Sequence, residues 1–462
     1  MLTASNGPSL QANITRFPDF VPDVEIFHQQ WSCLRSGLSF IWGFKSALIM
    51  YPTIYHALLD LFGIDWGWTR LLNSFGFFVA LAFVVASYTM GLELKRKATE
   101  GHFIPTIKTI VKGGPPDYWE VATSALMGFI IGWKFIYLAL YGSELFANGS
   151  NPQRFLFSMD GSLTLGFVLA LAMGGWRYWE YKKQQLAQPI REDFKLYPHH
   201  LTGNFTFAAA IFGILGAKLF HLLENPREFV EFLEHPSFNS FVSGLTVYGG
   251  LILGSIGVIL YARTKGVNGW HLSDAAAPGL ILSYGIGRIG CQVSGDGDWG
   301  IANAAPKPGW LSWLPDWMWA YDYPNNVNYD AAYPQYLGQL NDTNVLPITD
   351  PNVPCFDGYC THLDPMVFPT PVYETIMATL IFLFLWSIRK RLKVPGLMFG
   401  AYLMFNGAER FFIEKIRVNN KFDWMGIEAT QAEVIAVLFF LTGALMFALR
   451  YRSGAKASTT NT

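Results

Sequence analysis

Two stretches place arginine where an apolar chain would not normally carry it. Residues 285–300 read GIGRIGCQVSGDGDWG, and residues 410–417 read RFFIEKIR. The first sets Arg288 at the end of a hydrophobic run, followed by Cys291, Ser294, Asp296 and Asp298 among Gly285, Gly287, Gly290, Gly295 and Gly297. The second follows Glu409 and spaces Arg410, Glu414 and Arg417 at i, i+4 and i+7, which is one face of a helix. Ionisable groups within an apolar span cost several kcal/mol unless paired or hydrated, and they commonly mark function. A guanidinium stays charged when desolvated and grips phosphate oxygens in pairs. The glycines would let backbone N–H groups approach the same anion. At the outer edge of a bilayer the abundant phosphate belongs to lipid headgroups, so a lipid-phosphate site is expected. An interhelical ion-pair lattice is the purely structural alternative.

The elements that must position these groups are membrane spans. The chain has 462 residues, 51% hydrophobic and 15% charged, with 38 Phe and 16 Trp. Soluble domains carry about a quarter charged residues, so an all-α polytopic membrane protein is expected. Apolar runs of roughly the ~20 residues that cross a bilayer fall at 73–92, 118–140, 161–178, 204–223, 244–262, 275–292, 370–388, 395–413 and 431–449, giving about nine transmembrane helices. The apolar stretch 36–62 is interrupted by Lys45, Pro52 and Asp60 and is expected to lie at the interface. Lys and Arg cluster after alternate spans: Lys95–Lys97, Arg177 with Lys182 and Lys183, Arg263 with Lys265, Arg389–Lys393, and Arg450 with Arg452. The positive-inside rule makes that face cytoplasmic. The N-terminus is then outside, the C-terminus inside, and Arg288 at the outer end of the sixth span. Lys415, Arg417 and Lys421 break the charge pattern and call for a separate reason.

This organisation divides the chain into an external or interfacial extension (1–69), a first core span (70–97), an added hairpin with cytoplasmic linkers (98–200), core spans (201–292), an external Trp-rich arm or head (293–369), three last spans (370–452) and a disordered cytoplasmic tail (453–462). Met1–Asp23 shows no basic start followed by an apolar core, so no cleaved signal peptide is expected. Four cysteines exclude a disulfide scaffold, although Cys355 and Cys360 could pair on an oxidising side. GFIIGWKFIY from Gly128 and FGILGAKLFH from Phe212 set Lys134 and Lys218 in equivalent places, the pattern of a duplicated helical hairpin.

Taken together, these motifs resemble the prolipoprotein diacylglyceryl transferase family. Gly-Arg-Ile-Gly-Cys followed by Ser-Gly-Asp is similar to the family's Gly-Arg-x-Gly-Asn-x-x-Asn-Gly-Glu. Gly244–Leu251 resembles its Ser-x-His-Gly-Gly-Leu, with Asp274 and Pro278 following. Pro369–Glu374 resembles Pro-x-Gln-x-Tyr-Glu, and Arg410–Arg417 resembles Arg-x-x-x-Glu-x-x-Arg. The likeness spans roughly 70–95 and 200–452, a seven-helix core, leaving 1–69 and the hairpin at 118–178 as additions. Departures are Tyr248 at the family's histidine, Cys291 and Ser294 at its asparagines, Asp296 at its glutamate, and Phe75 and Asn406 at two tyrosines.

The resemblance implies transfer of the diacylglyceryl group of phosphatidylglycerol to a prolipoprotein cysteine thiol, with release of glycerol phosphate, in the bacterial cytoplasmic (inner) membrane. Arg288 and Arg410 would stabilise the departing phosphate, and Tyr248, Asp296 or Glu414 would handle the thiol proton. Gly249, Gly250, Gly290, Ser294, Gly295, Tyr373, Glu374 and Arg417 complete the implied substrate site. The expected partners are phosphatidylglycerol, signal peptides bearing the acceptor cysteine, and membrane lipid; no nucleic acid, metal or organic cofactor is expected. His221 is read as a membrane-helix histidine satisfied by a neighbour, and Cys291 as small packing. The competing functions are a catalytically silent lipid- or lipoprotein-binding paralogue and a secondary transporter, whose charges would sit at mid-membrane.

Overall fold

The computed structural model describes residues 50–146, 155, 159–234, 246–327, 346–349, 359–419, 421–424 and 426–459. Helices dominate. A short helix α1 (Ile54–Phe62) precedes α2 (Ser74–Thr99). Next come α3 (Tyr118–Ile130), a π-helical turn (Ile131–Ile136), and α4 (Tyr137–Phe146) in one continuous rod, then α5 (Leu163–Gln184). The chain continues through α6 (Thr202–Glu224), α7 (Pro226–Glu234), α8 (Val247–Thr264) and α9 (Gly269–Ser294) to α10 (Thr370–Ile388), α11 (Leu397–Glu414) and α12 (Gln431–Thr459). Six helical segments are long and apolar enough to cross a membrane: Ser74–Thr99, Tyr118–Gly142, Pro198–Glu224, Val247–Thr264, Thr370–Ile388 and Gln431–Ser453. Helices α5, α9 and α11 stand at the three other expected spans, but their charged and polar residues leave them outside that apolar class. The architecture is that of an all-α, multi-pass membrane protein, with six rather than nine spans identifiable from length and apolarity among the described residues.

Local sequence explains where the helices start and stop. The Asn73 side chain accepts the Gly76 N–H at 2.6 Å to cap α2, and the Asn268 side chain accepts Trp270 N–H at 2.9 Å to cap α9. Helix α9 ends at Gly295, whose φ of 62° suits glycine. The start of α11 is capped from another helix: the buried Asp274 carboxylate on α9 accepts N–H groups of Gly396 (2.8 Å) and Phe399 (3.0 Å). Lys97 lies 3.5 Å from the same carboxylate. Asp274, noted in sequence only as preceding the arginine, therefore fastens α11 to α9.

Helix α9 is the centre of the bundle, packed on α2, α10 and α11, while α11 also packs along α12. Ala277, Ile281, Ala378, Leu385, Met398 and Ala401 form the apolar core where α9, α10 and α11 meet. Helices α6 and α8 form one hairpin, and α3 with α5 a second. In each hairpin glycines bring backbones together: a Cβ on Gly132 would lie 2.3 Å from the Leu165 carbonyl oxygen, and one on Gly249 2.4 Å from that of Gly216. Lys134 and Lys218 are both buried, in keeping with their equivalent places in the sequence.

Several boundaries differ from expectation. The linkers flanking the added hairpin pair as an antiparallel sheet, β1 (Thr106–Lys112) with β2 (Ile190–Leu196), Thr106 opposite Leu196. Two further strand pairs are β3 (Leu346–Thr349) with β4 (Thr361–Asp364) and β5 (Lys421–Trp424) with β6 (Ile427–Thr430). Residues 453–459, expected as disordered tail, continue α12. Most of the expected interfacial stretch 36–62 lies outside the described residues; its end forms α1, which exposes Leu59, Leu61 and Phe62. Cys360 is disulfide-bonded, with its partner, like Cys355, outside the described residues.

Candidate phosphate-binding site

Three arginines converge on one carboxylate. Glu374, in the first turns of α10, is fully buried. Its Oε2 lies 3.2 Å from Arg288 Nε, and its Oε1 lies 3.1 Å from Arg410 Nη1 and 3.2 Å from Arg417 Nη1. The Tyr284 hydroxyl, one turn before Arg288 on α9, donates to Oε1 at 2.8 Å. Two further carboxylates complete the lattice. Asp298 pairs with both Arg288 and Arg417. Glu414 Oε2 lies 3.0 Å from Arg410 Nη2, while its Oε1 accepts from Asn419 at 2.5 Å and Thr430 at 2.8 Å.

The chain builds this convergence from local features. The α10 start, with Pro371 in its first turn, sets Glu374 toward the end of α9. Helix α11 delivers Arg410 and Glu414 from adjacent turns. Arg417 lies beyond the α11 end, not on its face, and is held by a main-chain bridge opposite Gly300, where Ile301 N–H donates to the Ile416 carbonyl at 2.9 Å. Of the three basic residues that broke the positive-inside pattern, Arg417 is thus explained by its carboxylate partners, and Lys415 pairs with Glu433. Gly300 is required there, because a Cβ would lie 2.6 Å from the Ile416 oxygen.

The members of this lattice differ in exposure. The Glu374 and Glu414 side chains are 0% exposed, Arg417 7%, Arg288 15% and Arg410 21%, whereas Asp298 is 35% exposed. The Asp298 backbone N–H donates to Asp296 Oδ1 at 3.3 Å, and its carbonyl accepts from Thr370 Oγ1 at 2.8 Å. Burial works against ionisation of Asp298, but the guanidiniums of Arg288 and Arg417 outweigh it and hold the carboxyl below the usual carboxylate range. Asp296 moves the other way, pushed up by burial and by the negative charge of Asp298. The Cys291 sulfur, the Asp296 carboxylate and the Asp298 carboxylate come within 4.8 Å of one another. Two guanidiniums already face Asp298 and balance its charge, so the cluster offers a cation little net attraction.

Other sequence candidates have separate roles. Tyr248 is the second residue of α8, half-buried, with no hydrogen bond or ion pair to the arginine lattice among the described residues. Gly249 and Gly250 face α6: a Cβ on Gly249 would collide with Phe220 at 2.4 Å, and one on Gly250 would sit 3.1 Å from the Gly213 oxygen. Gly290 packs against α2, where a Cβ would meet Phe78 at 2.9 Å. Ser294 is buried and spends its hydroxyl on the Gly290 carbonyl at 2.8 Å. Gly295 turns the chain beside Asn326, and the Tyr373 hydroxyl donates to the Met318 carbonyl at 2.5 Å, tying α10 to the Trp-rich segment. Gly249, Gly250, Gly290, Gly295 and Tyr373 thus lie at contacts between elements. His221, read as satisfied by a neighbour, lies 2.8 Å from Glu228.

Sequence inspection did not single out Asp298 or Tyr284 as site residues, nor Glu409 beyond its position. Asp298 had a signal, since it shares the glycine-rich loop with Asp296. Glu409 is buried, and neither of its carboxylate oxygens has a hydrogen-bond partner among the described residues.

The family described as prolipoprotein diacylglyceryl transferase matches residues 162–449. The match begins at the start of α5, within the hairpin that motif comparison set apart. The chain is 26% identical over 313 residues to the phosphatidylglycerol–prolipoprotein diacylglyceryl transferase of Dehalococcoides mccartyi, covering 66% of this chain and 97% of the relative. It is 26% identical over 266 residues to the protein of that name from Bifidobacterium adolescentis, covering 54% and 68%. It is 28% identical over 245 residues to the one from Corynebacterium diphtheriae, covering 52% and 75%.

Proposed function

The chain belongs to the prolipoprotein diacylglyceryl transferase family, and from that premise we propose that it moves the diacylglyceryl group of phosphatidylglycerol onto the acceptor cysteine of prolipoproteins. The observation that carries this assignment to particular residues is the meeting of Arg288, Arg410 and Arg417 at one end of the bundle. The acceptor sulfur loses its proton and attacks the glyceryl carbon that bears the phosphate ester. A carbon–sulfur bond forms, the carbon–oxygen pair passes to the phosphate, and glycerol phosphate leaves with an added negative charge. Guanidiniums already fixed in place stabilise that charge without reorganising, and each such donor contributes about 3–4 kcal/mol to the barrier reduction. Arg288, Arg410 and Arg417 bind the phosphate together, and Glu374 and Glu414 position them. Tyr248, Gly249, Gly250, Gly290, Ser294 and Tyr373 act through packing instead of on substrate.

The site faces the external side of a bacterial cytoplasmic membrane in this proposal. The disulfide at Cys360 supports that orientation, because such bonds persist mainly in oxidising compartments. The basic residues ending α2, α5 and α8 support it from the opposite face. The test is transfer from phosphatidylglycerol to a peptide with a lipoprotein signal and acceptor cysteine. Arg288→Ala and Arg410→Ala should each lower kcat/KM by roughly 100- to 1,000-fold while remaining folded. Wild-type activity in either variant removes that arginine from the mechanism.

A further inference from the structure

The lattice poses a steric and electrostatic problem: its guanidiniums are already occupied. Arg288, Arg410 and Arg417 are balanced by the carboxylates of Glu374, Glu414 and Asp298. A phosphodiester added to this paired set would leave one anion in excess, and a surplus buried charge is strongly destabilising. Exchanging the phosphodiester for one of the carboxylates preserves the balance. Glu374 and Glu414 are unsuited to leave, since both side chains are completely buried and held by hydroxyl or amide donors besides the arginines. Asp298 is the most exposed of the six and sits after Gly297, whose φ is 103°. Its side chain is held by Arg288, Arg417 and the Cys291 thiol, which donates at 3.5 Å. The backbone beyond is fixed by buried Trp299 and by the close approach of Gly300 to Ile416. Rotation about the Asp298 Cα–Cβ bond is therefore enough to free the carboxylate.

Building on the function proposed above, we infer that Asp298 is an internal stand-in for the lipid phosphate, displaced from Arg288 and Arg417 when phosphatidylglycerol binds, and that the freed carboxylate accepts the proton of the acceptor thiol. Its surroundings suit both states. Paired with two guanidiniums it is a poor base. Deprived of them it faces burial and the Asp296 carboxylate, both of which favour taking up a proton. The Cys291 thiol already seated on Asp298 shows that a sulfhydryl can approach this carboxylate. In the reaction the S–H proton moves to Asp298, the sulfur electrons form the carbon–sulfur bond, and the carbon–oxygen pair leaves with glycerol phosphate. When glycerol phosphate departs, Asp298 gives its proton to water and returns to the arginines. Arg288, Arg417, Asp296, Cys291 and, behind the arginines, Glu374 are the titratable groups around it.

The experiment uses the full chain in phosphatidylcholine nanodiscs, with fluorescent phosphatidylglycerol for binding and the peptide assay for turnover. Asp298→Asn removes the competing anion and the base together. It should bind phosphatidylglycerol about tenfold more tightly than wild type, lower kcat about 100-fold or more, and lose the acid limb of the kcat–pH profile. Asp298→Glu should restore most of kcat. Equal or weaker lipid binding by Asp298→Asn makes Asp298 a strut and overturns the stand-in role. Tighter binding with unchanged kcat overturns its role as base. Asp298→Ser is the second variant, and failure of both neutral variants to fold, judged by size-exclusion profile and melting, likewise overturns the inference. If wild type binds phosphatidylglycerol without transferring it, the proposed function falls while the binding comparison still decides the stand-in role.

Discussion

Glu374 is the group on which the lattice depends, and Glu374→Gln tests it with little change in volume. The carboxylate contacts three guanidinium nitrogens at 3.1–3.2 Å and is 0% exposed. With charge centres about 4 Å apart and an effective dielectric constant near 20, each attraction is about 4 kcal/mol before desolvation is subtracted. Desolvation offsets much of this sum. Removing one partner from a buried ion pair costs about 3–5 kcal/mol in practice. Here Arg288 and Arg417 retain Asp298, and Arg410 retains Glu414, which places the expected loss near ~3 kcal/mol, or roughly 100-fold in the folding equilibrium. Titration of detergent-reconstituted protein with SDS, followed by tryptophan fluorescence, reads that loss directly. A glutamine variant that unfolds at the wild-type SDS fraction and keeps wild-type turnover would refute Glu374 as the organising charge.

Glu409→Met replaces a buried carboxylate whose oxygens lack hydrogen-bond partners among the described residues; stability should rise by about 1 kcal/mol or more with turnover preserved, and a large loss of kcat would show that the carboxylate acts in the reaction. Gly249→Ala inserts a methyl group 2.4 Å from Gly216 and Phe220 atoms, so the α6–α8 hairpin should lose about 1–3 kcal/mol while the KM for phosphatidylglycerol in the folded fraction stays at its wild-type value. Tyr248→Phe removes a hydroxyl with no hydrogen bond to the lattice, and the transfer rate should stay within about twofold of wild type; a 100-fold fall would return that oxygen to the reaction.

What could be read from sequence was largely what helix periodicity encodes. Arg410 and Glu414 lie one turn apart, so their partnership follows from local geometry, and all nine expected spans have helices in the structure. Helices α5, α9 and α11 stand at three of those places but carry charged and polar residues, so length and apolarity identify six spans among the described residues. Arg417 was correctly associated with the same charges, but for the wrong local reason: a main-chain bridge, not the helix face, sets it in place. The convergence of α9, α10 and the segment after α11 on Glu374 needs tertiary packing, and so does the choice of Asp298 over its neighbour Asp296. Gly249 and Gly250 show the opposite limit. Their resemblance to a substrate-binding motif gives no sign that α6 lies against them.

The bridge between Gly300 and Arg417 makes the Trp-rich segment and the arginine-bearing end of the bundle a single mechanical piece. Ile301 hangs on the Ile416 carbonyl, Gly300 on that of Phe368, and Tyr321 pairs with Val367. On the proposed function, an acceptor peptide that displaced the Trp-rich segment would pull, through a few peptide groups, on the segment that carries Arg417. The link runs mainly through peptide groups, with the Tyr373 hydroxyl on the Met318 carbonyl as a second tie, and any side chain placed at Gly300 would strain it.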